Sequence, residues 1–321
     1  MSVLKYAIYI RKKDIDMKKT LVNSALLMLT ALIWGTAFVA QSTGGDAVGP
    51  YTFNSLRSFI GAIVLLPAIP ILDRLQGKRP PSGTERRTVI VGGIICGTVL
   101  CLASNLQQIG ITLGGSVGKA GFLTACYIIL VPILSIFLKR HCAVNVWIGA
   151  VLALVGLYLL CIKEELRFEL PDVLLLLCAL VFSVHILAVD HFGAKTEPVR
   201  LSCMQLLVCG TLSILPAVFF DMKTGPTDWM AQLCDLNSWI PILYAGVLSC
   251  GTAYTLQIIA QPKLNPTVAS LIMSLESVFA VLAGWVLLGQ ELTTRELLGC
   301  AVMFAAIIIA QLPVNGKTQP V

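Results

Sequence analysis

The chain has 321 residues, 57% hydrophobic and only 12% charged, with a mean hydropathy of +0.86 and a formal net charge of +6. A soluble domain is about 25% charged, so a water-dissolved globule is excluded and lipid is the expected solvent. The positive balance does not imply nucleic-acid binding, because the basic residues fall in the connections between apolar stretches, where membrane topology puts them.

Residues 1–19 form a basic segment carrying Lys5, Arg11, Lys12, Lys13, Lys18 and Lys19. It leads straight into a full-length apolar stretch and lacks the short apolar region and small-residue site of a cleavable signal. Met17-Lys18-Lys19-Thr20 reads as a start of its own, and residues 1–16 are expected to be an upstream-start extension. Ten apolar stretches follow, at 20–41, 51–72, 87–108, 116–138, 143–161, 172–190, 199–220, 239–260, 267–288 and 294–312. Each has the length of a membrane span, and each should be helical, since lipid offers the backbone no hydrogen-bond partner. Polar, Gly- and Pro-containing breaks separate them, among them Gly44-Gly45-Asp46, residues 73–84 and residues 221–238. With the N-terminus in the cytoplasm, seventeen Lys and Arg residues lie on the inner side and five on the outer, which puts both termini inside. Eleven cysteines occur, mostly within spans and never as Cys-x-x-Cys, and they read as small packing residues rather than metal or redox groups.

The ten spans divide into two sets of five. Residues 29–38 (LTALIWGTAF) align with 177–186 (LCALVFSVHI), and further on Gln107 aligns with Gln257 and Gly149 with Gly299. An odd number of spans per copy inverts the second copy, the usual build of a secondary transporter. The expected architecture is therefore all-α and polytopic. Two inverted five-helix repeats, 20–161 and 172–312, lie between the basic segment and a cytoplasmic tail at 313–321.

Polar groups within spans carry the functional expectations. In the first span, Trp34 and Gln41 are seven residues apart on one face, with Thr36 nearby. Arg57 lies inside the second span, and its repeat partner is Gln205. Asn105 and Gln108, three apart, share a helix face, whereas Gln107 points elsewhere. Lys119 follows Gly114-Gly115-Ser116-Val117-Gly118 at the outer end of the fourth span. Leu113 occupies the glycine position a phosphate loop needs and no strand precedes it, so ATP binding is rejected. The alternatives for Lys119 are attraction of a substrate carboxylate or snorkelling to the interface. Tyr127 precedes Pro132, which should bend its helix and leave Tyr127 as a cavity wall. His185 is a candidate for substrate or proton contact, with no second histidine at metal-ligand spacing. Tyr254 and Gln257 share a face of the eighth span.

Glu276 lies near the middle of the ninth span. Desolvation disfavours a lone charged carboxylate, so Glu276 can couple proton movement to substrate movement; the alternative is a structural ion pair with Arg57. No catalytic set, metal site or cofactor motif is expected. Small residues at i, i+4 (Gly93 and Gly97, Gly246 and Cys250, Ala280 and Gly284) read as helix-packing faces.

The segments GFLTACYIILVPILSIFLKR (121–140) and ASLIMSLESVFAVLAGWVLLGQE (269–291) close the two halves; ALIWGTAFVAQ (31–41) and NSLRSFIGAIVLLP (54–67) lie near the start. Together they resemble the EamA family of the drug/metabolite transporter superfamily over residues 20–312. The resemblance implies a ten-span carrier with a central cavity that exports a small metabolite or drug without ATP. The polar set would suit an amino acid or related zwitterion, or a planar aromatic drug. Family members often have Pro after the glutamate of the second closing segment; here Ser277 stands there, which is expected to straighten that helix. An intramembrane enzyme acting on lipid would need clustered carboxylates or a His-Glu-x-x-His helix, and neither is present. A channel or receptor gives the internal repeat no use. The expected partners are a small-molecule substrate and the lipid bilayer. A ten-span bundle can work alone, and the sequence sets no oligomeric state.

Overall fold

The computed structural model describes residues 3–77, 81–113, 117–139, 142–162, 169–288 and 293–312. Among these there is no strand, and ten helices or helix pairs are long and apolar enough to cross a membrane. The first three spans are single helices, α1 (Val3–Val48), α2 (Pro50–Leu75) and α3 (Gly83–Thr112). The fourth is broken into α4 (Val117–Ala125) and α5 (Tyr127–Phe137). Then come α6 (Val144–Cys161), α7 (Leu170–Gly193) and α8 (Pro198–Phe220). A short α9 (Pro226–Cys234) crosses the following connection. The eighth span is α10 (Leu236–Tyr244), a π-helical stretch at Ala245–Ala253, and α11 (Tyr254–Ala260). The ninth is again broken, into α12 (Pro266–Met273) and α13 (Glu276–Leu288), and α14 (Thr294–Gln311) is the tenth.

Three expectations about helix ends are corrected. The Gly44-Gly45-Asp46 break lies inside α1, and the chain turns instead at Gly49, whose φ of 89° suits only glycine. The ninth helix is not straightened at Ser277. It is interrupted just before, at Ser274 and Leu275, where the Ser274 hydroxyl donates to the Leu271 carbonyl at 2.7 Å and Ser277 N–H reaches only back to Ser274. Such back-bonding competes with the helix ladder and bends it. The fourth span breaks at Cys126, between Tyr127 and the preceding turn, rather than at Pro132.

Large apolar side chains such as Leu66, Phe137, Val151, Leu215, Phe219 and Ile308 point outward. In water such a surface would aggregate; in a bilayer it is the lipid-facing belt. Inside, helices meet over small residues: α6 packs on α14, α2 on α8, and α3 on both α7 and α8. A Cβ added at Gly156 would lie 3.0 Å from the Gly299 carbonyl, and one at Gly299 would lie 2.8 Å from that of Gly156. This backbone-to-backbone approach is how helices associate where lipid tails remove the hydrophobic drive.

At one end of α2, the Asp221 Oδ2 accepts from the Thr52 N–H (2.6 Å) and hydroxyl (2.8 Å), and Trp229 Nε1 donates to Thr52 Oγ1 (3.1 Å). Burial pushes the Asp221 carboxyl up, against the Thr52 bonds that pull it down. Asp221→Ala is expected to lower stability by about 1 kcal/mol, the usual worth of a helix cap. Asp221→Asn should match or exceed the wild type at neutral pH, because it keeps the acceptor without the buried charge. Thermal denaturation in detergent checks both.

Candidate functional site

The two broken spans and the π-helical stretch converge on one cavity. Tyr127 opens α5 and Glu276 opens α13, so both stand at the first turn of a half-helix, one from each five-span set. They touch across the interior: the Tyr127 hydroxyl donates to Glu276 Oε1 at 3.4 Å. Interrupted membrane helices in corresponding positions of two halves mark binding sites in carriers, because their exposed ends supply polar groups at mid-membrane depth. The cavity is partly open to the outside of the protein, and about 40 Å³ of it is free for the centres of water-sized molecules.

One wall comes from α1 and the eighth span. Trp34 Nε1 donates to the Ser249 carbonyl (3.4 Å), and the Thr30 hydroxyl donates to that of Ala253 (3.4 Å). Both carbonyls belong to the π-helical stretch, whose wider turn re-aims backbone groups; such stretches are frequent at functional sites. The Trp34 and Tyr254 rings lie 5.0 Å apart, and His185 meets Tyr254 edge-on at 6.1 Å. His185 is 1% exposed, and its Nε2 pairs with Gln205 Oε1 at 3.2 Å. Phe38, Phe182, Ile186 and Met273 supply the apolar part of the lining, and Gln41, Gln107, Thr124 and Gln257 the uncharged polar part.

Of the residues singled out by sequence, Trp34, Gln41, Arg57, Tyr127, His185, Tyr254, Gln257 and Glu276 line this cavity. Thr36, Asn105 and Gln108 do not. The Thr36 hydroxyl pairs with the Tyr244 hydroxyl. Asn105 sits in a helix-joining network: Asn54 Nδ2 donates to Asn105 Oδ1 (2.8 Å), and Asn105 Nδ2 donates to Ser213 Oγ (3.0 Å), tying α2, α3 and α8 together. Gln108 Nε2 donates to the Gln41 carbonyl at 2.7 Å. The side chain of Lys119 lies outside the described residues.

Two expectations change. The face of α3 shared by Asn105 and Gln108 is spent on helix packing, and Gln107, expected to point elsewhere, faces the cavity. The repeat carried the signal, since Gln107 and its partner Gln257 both line the wall. The ion pair expected as an alternative for Arg57 and Glu276 is absent. Arg57 makes neither an ion pair nor a hydrogen bond with any described residue, and its guanidinium carbon lies 5.3 Å from the Phe53 ring centre.

The profile of the EamA-like transporter family matches the chain twice, over residues 23–162 and 170–311. An uncharacterized transporter of Archaeoglobus fulgidus is 29% identical over 90% of this chain and 85% of its own length. The threonine/homoserine exporter RhtA of Escherichia coli is 26% identical over 92% of each chain. A protein of known crystal structure, 20% identical, superposes with a TM-score of 0.72 over 90% of this chain and 96% of its own, which shows a shared fold.

Proposed function

We propose that this chain, which belongs to the EamA-like transporter family, is a secondary carrier exporting a small metabolite or drug by alternating access. Membership makes it a multi-pass membrane transporter of small solutes; the finer reading concerns mechanism and direction. The observation that carries it is the cavity between the two sets of five spans, walled by half-helix ends from both and holding polar groups that lipid would not tolerate. In this reading the halves 20–161 and 172–312 are inverted copies that rock about the cavity, which opens to one side at a time. The driving force is a gradient or exchange, since the sequence holds no nucleotide-binding motif. Glu276, a buried carboxyl group at the cavity, is the candidate for proton coupling. Export and an amino-acid-sized substrate are favoured by the likeness to RhtA.

The test is flux. The purified chain in proteoliposomes is loaded with a metabolite panel, and efflux is followed with and without an imposed pH difference. Solute-specific efflux well above protein-free vesicles is expected; no flux for any solute refutes the carrier.

Orientation has a test built into the chain. With both termini cytoplasmic, the exposed Cys234 at the end of α9 faces outward, and the half-exposed Cys142 before α6 faces inward. A membrane-impermeant maleimide applied to intact cells should label the wild type but not Cys234→Ser. Labelling that survives Cys234→Ser and disappears on Cys142→Ser would reverse the topology.

A further inference from the structure

The cavity holds a buried basic side chain and a buried acidic one that do not pair with each other. Arg57 is 4% exposed and Glu276 is 7% exposed, and both line the same space. The guanidinium has no ion-pair or hydrogen-bond partner among the described residues, and its carbon lies 5.3 Å from the Phe53 ring centre. The carboxylate has one long hydrogen bond, from Tyr127. Uncompensated charges in a membrane interior are costly, and they persist where a function requires them. Two further groups are short of partners. Gln41 Oε1 and Gln257 Oε1 are buried acceptors that receive no hydrogen bond, and both side chains belong to the cavity lining. Buried acceptors of this kind call for a donor, such as a water or a bound group. The rest of the wall is apolar and aromatic, with Trp34, Phe38, Phe182, Ile186 and Met273.

We propose that Arg57 and Glu276 are the two poles of a zwitterion site, Arg57 holding the carboxylate and Glu276 the ammonium of a free amino acid with an apolar side chain. The proposal deepens the carrier reading of this cavity and rests on it for transport, though not for binding. A solute with only one charge leaves the opposite pole buried and unpaired; a neutral solute leaves both. A guanidinium gives a carboxylate two parallel donors. An ammonium brings three donors for the Glu276 carboxylate and neighbouring acceptors. Selectivity then arises from a penalty on the wrong solute as much as from attraction of the right one.

The experiment uses the full chain and three solutes of one skeleton: leucine, its decarboxylated amine (3-methylbutylamine) and its deaminated acid (4-methylpentanoate). Binding is read in detergent by ligand-induced thermal stabilisation, and transport by efflux from proteoliposomes. The wild type should bind leucine at least about tenfold more tightly than either fragment, a difference of about 1.4 kcal/mol. Arg57→Gln should lose the preference for leucine over the amine, and Glu276→Gln the preference for leucine over the acid. Arg57→Lys and Glu276→Asp, which keep the charges, should regain part of it and show that the loss is not misfolding. A wild type that binds amine or acid as well as leucine, or Gln variants that keep the wild-type ranking, overturns the proposal. Flux of solutes without charge preference sinks the zwitterion site and leaves the carrier; leucine binding without flux does the reverse.

Discussion

Gly35→Leu is expected to abolish transport while the chain still inserts in the membrane. Gly35 is where α1 crosses the break in the ninth span. A Cβ there would lie 2.4 Å from the Glu276 carbonyl oxygen and 2.8 Å from both the Ala280 nitrogen and the Phe279 Cβ. Two of these are backbone atoms, which cannot rotate aside as a long side chain would. The helices must therefore separate, and the first residue to move is Glu276, whose side chain lines the cavity. Overpacking of this kind costs about 1–3 kcal/mol. That is enough to displace one helix contact and too little to expel ten apolar spans from lipid. The variant should be recovered from the membrane with a lower thermal midpoint and no efflux above empty vesicles, and Gly35→Ala should fall between. Wild-type efflux by the leucine variant would show that this crossing is irrelevant to the transport cycle.

Glu276→Gln is expected to uncouple the carrier from the pH difference. Glutamine keeps the size of the side chain and its acceptor for the Tyr127 hydroxyl, but it cannot take up or release a proton at physiological pH. Wild-type efflux should rise about tenfold when protons are supplied on the side opposite the substrate, an effect of about 1.4 kcal/mol. In the variant, whichever solutes still move should do so at equal rates with and without the pH difference. Efflux from vesicles with imposed internal and external pH measures this. A variant with the wild-type pH response would exclude Glu276 as the coupling group and leave it a binding residue.

Most of the scaffold was legible because it depends on composition and length. A run of about twenty apolar residues has one solution in lipid, and ten runs give ten spans. Much of the site was legible for a related reason. Arg57, Glu276 and His185 stand out because charged or titratable groups inside apolar runs are rare. What could not be read was the rotation of each helix. Asn105, Gln107 and Gln108 are all amides within four residues, and spacing alone favoured the first and third. The structure spends those two on Asn54, Ser213 and the Gln41 carbonyl, and turns Gln107 to the cavity. The breaks in the fourth and ninth spans were hidden likewise. Proline drew attention to residue 132 and serine diverted it from residue 277, whereas the interruptions fall at Cys126 and at Ser274 with Leu275.

By itself, then, the sequence determined the solvent, the number of spans, the family likeness and which polar groups had to be hidden from lipid, since each of these follows from the chemistry of a local stretch. Only the tertiary structure decided that Arg57 and Glu276 share a cavity without pairing, and that Tyr127 and Glu276 meet as the first residues of two half-helices. These facts depend on which way helices from opposite halves face when they pack, and packing is settled by contacts between residues more than a hundred positions apart.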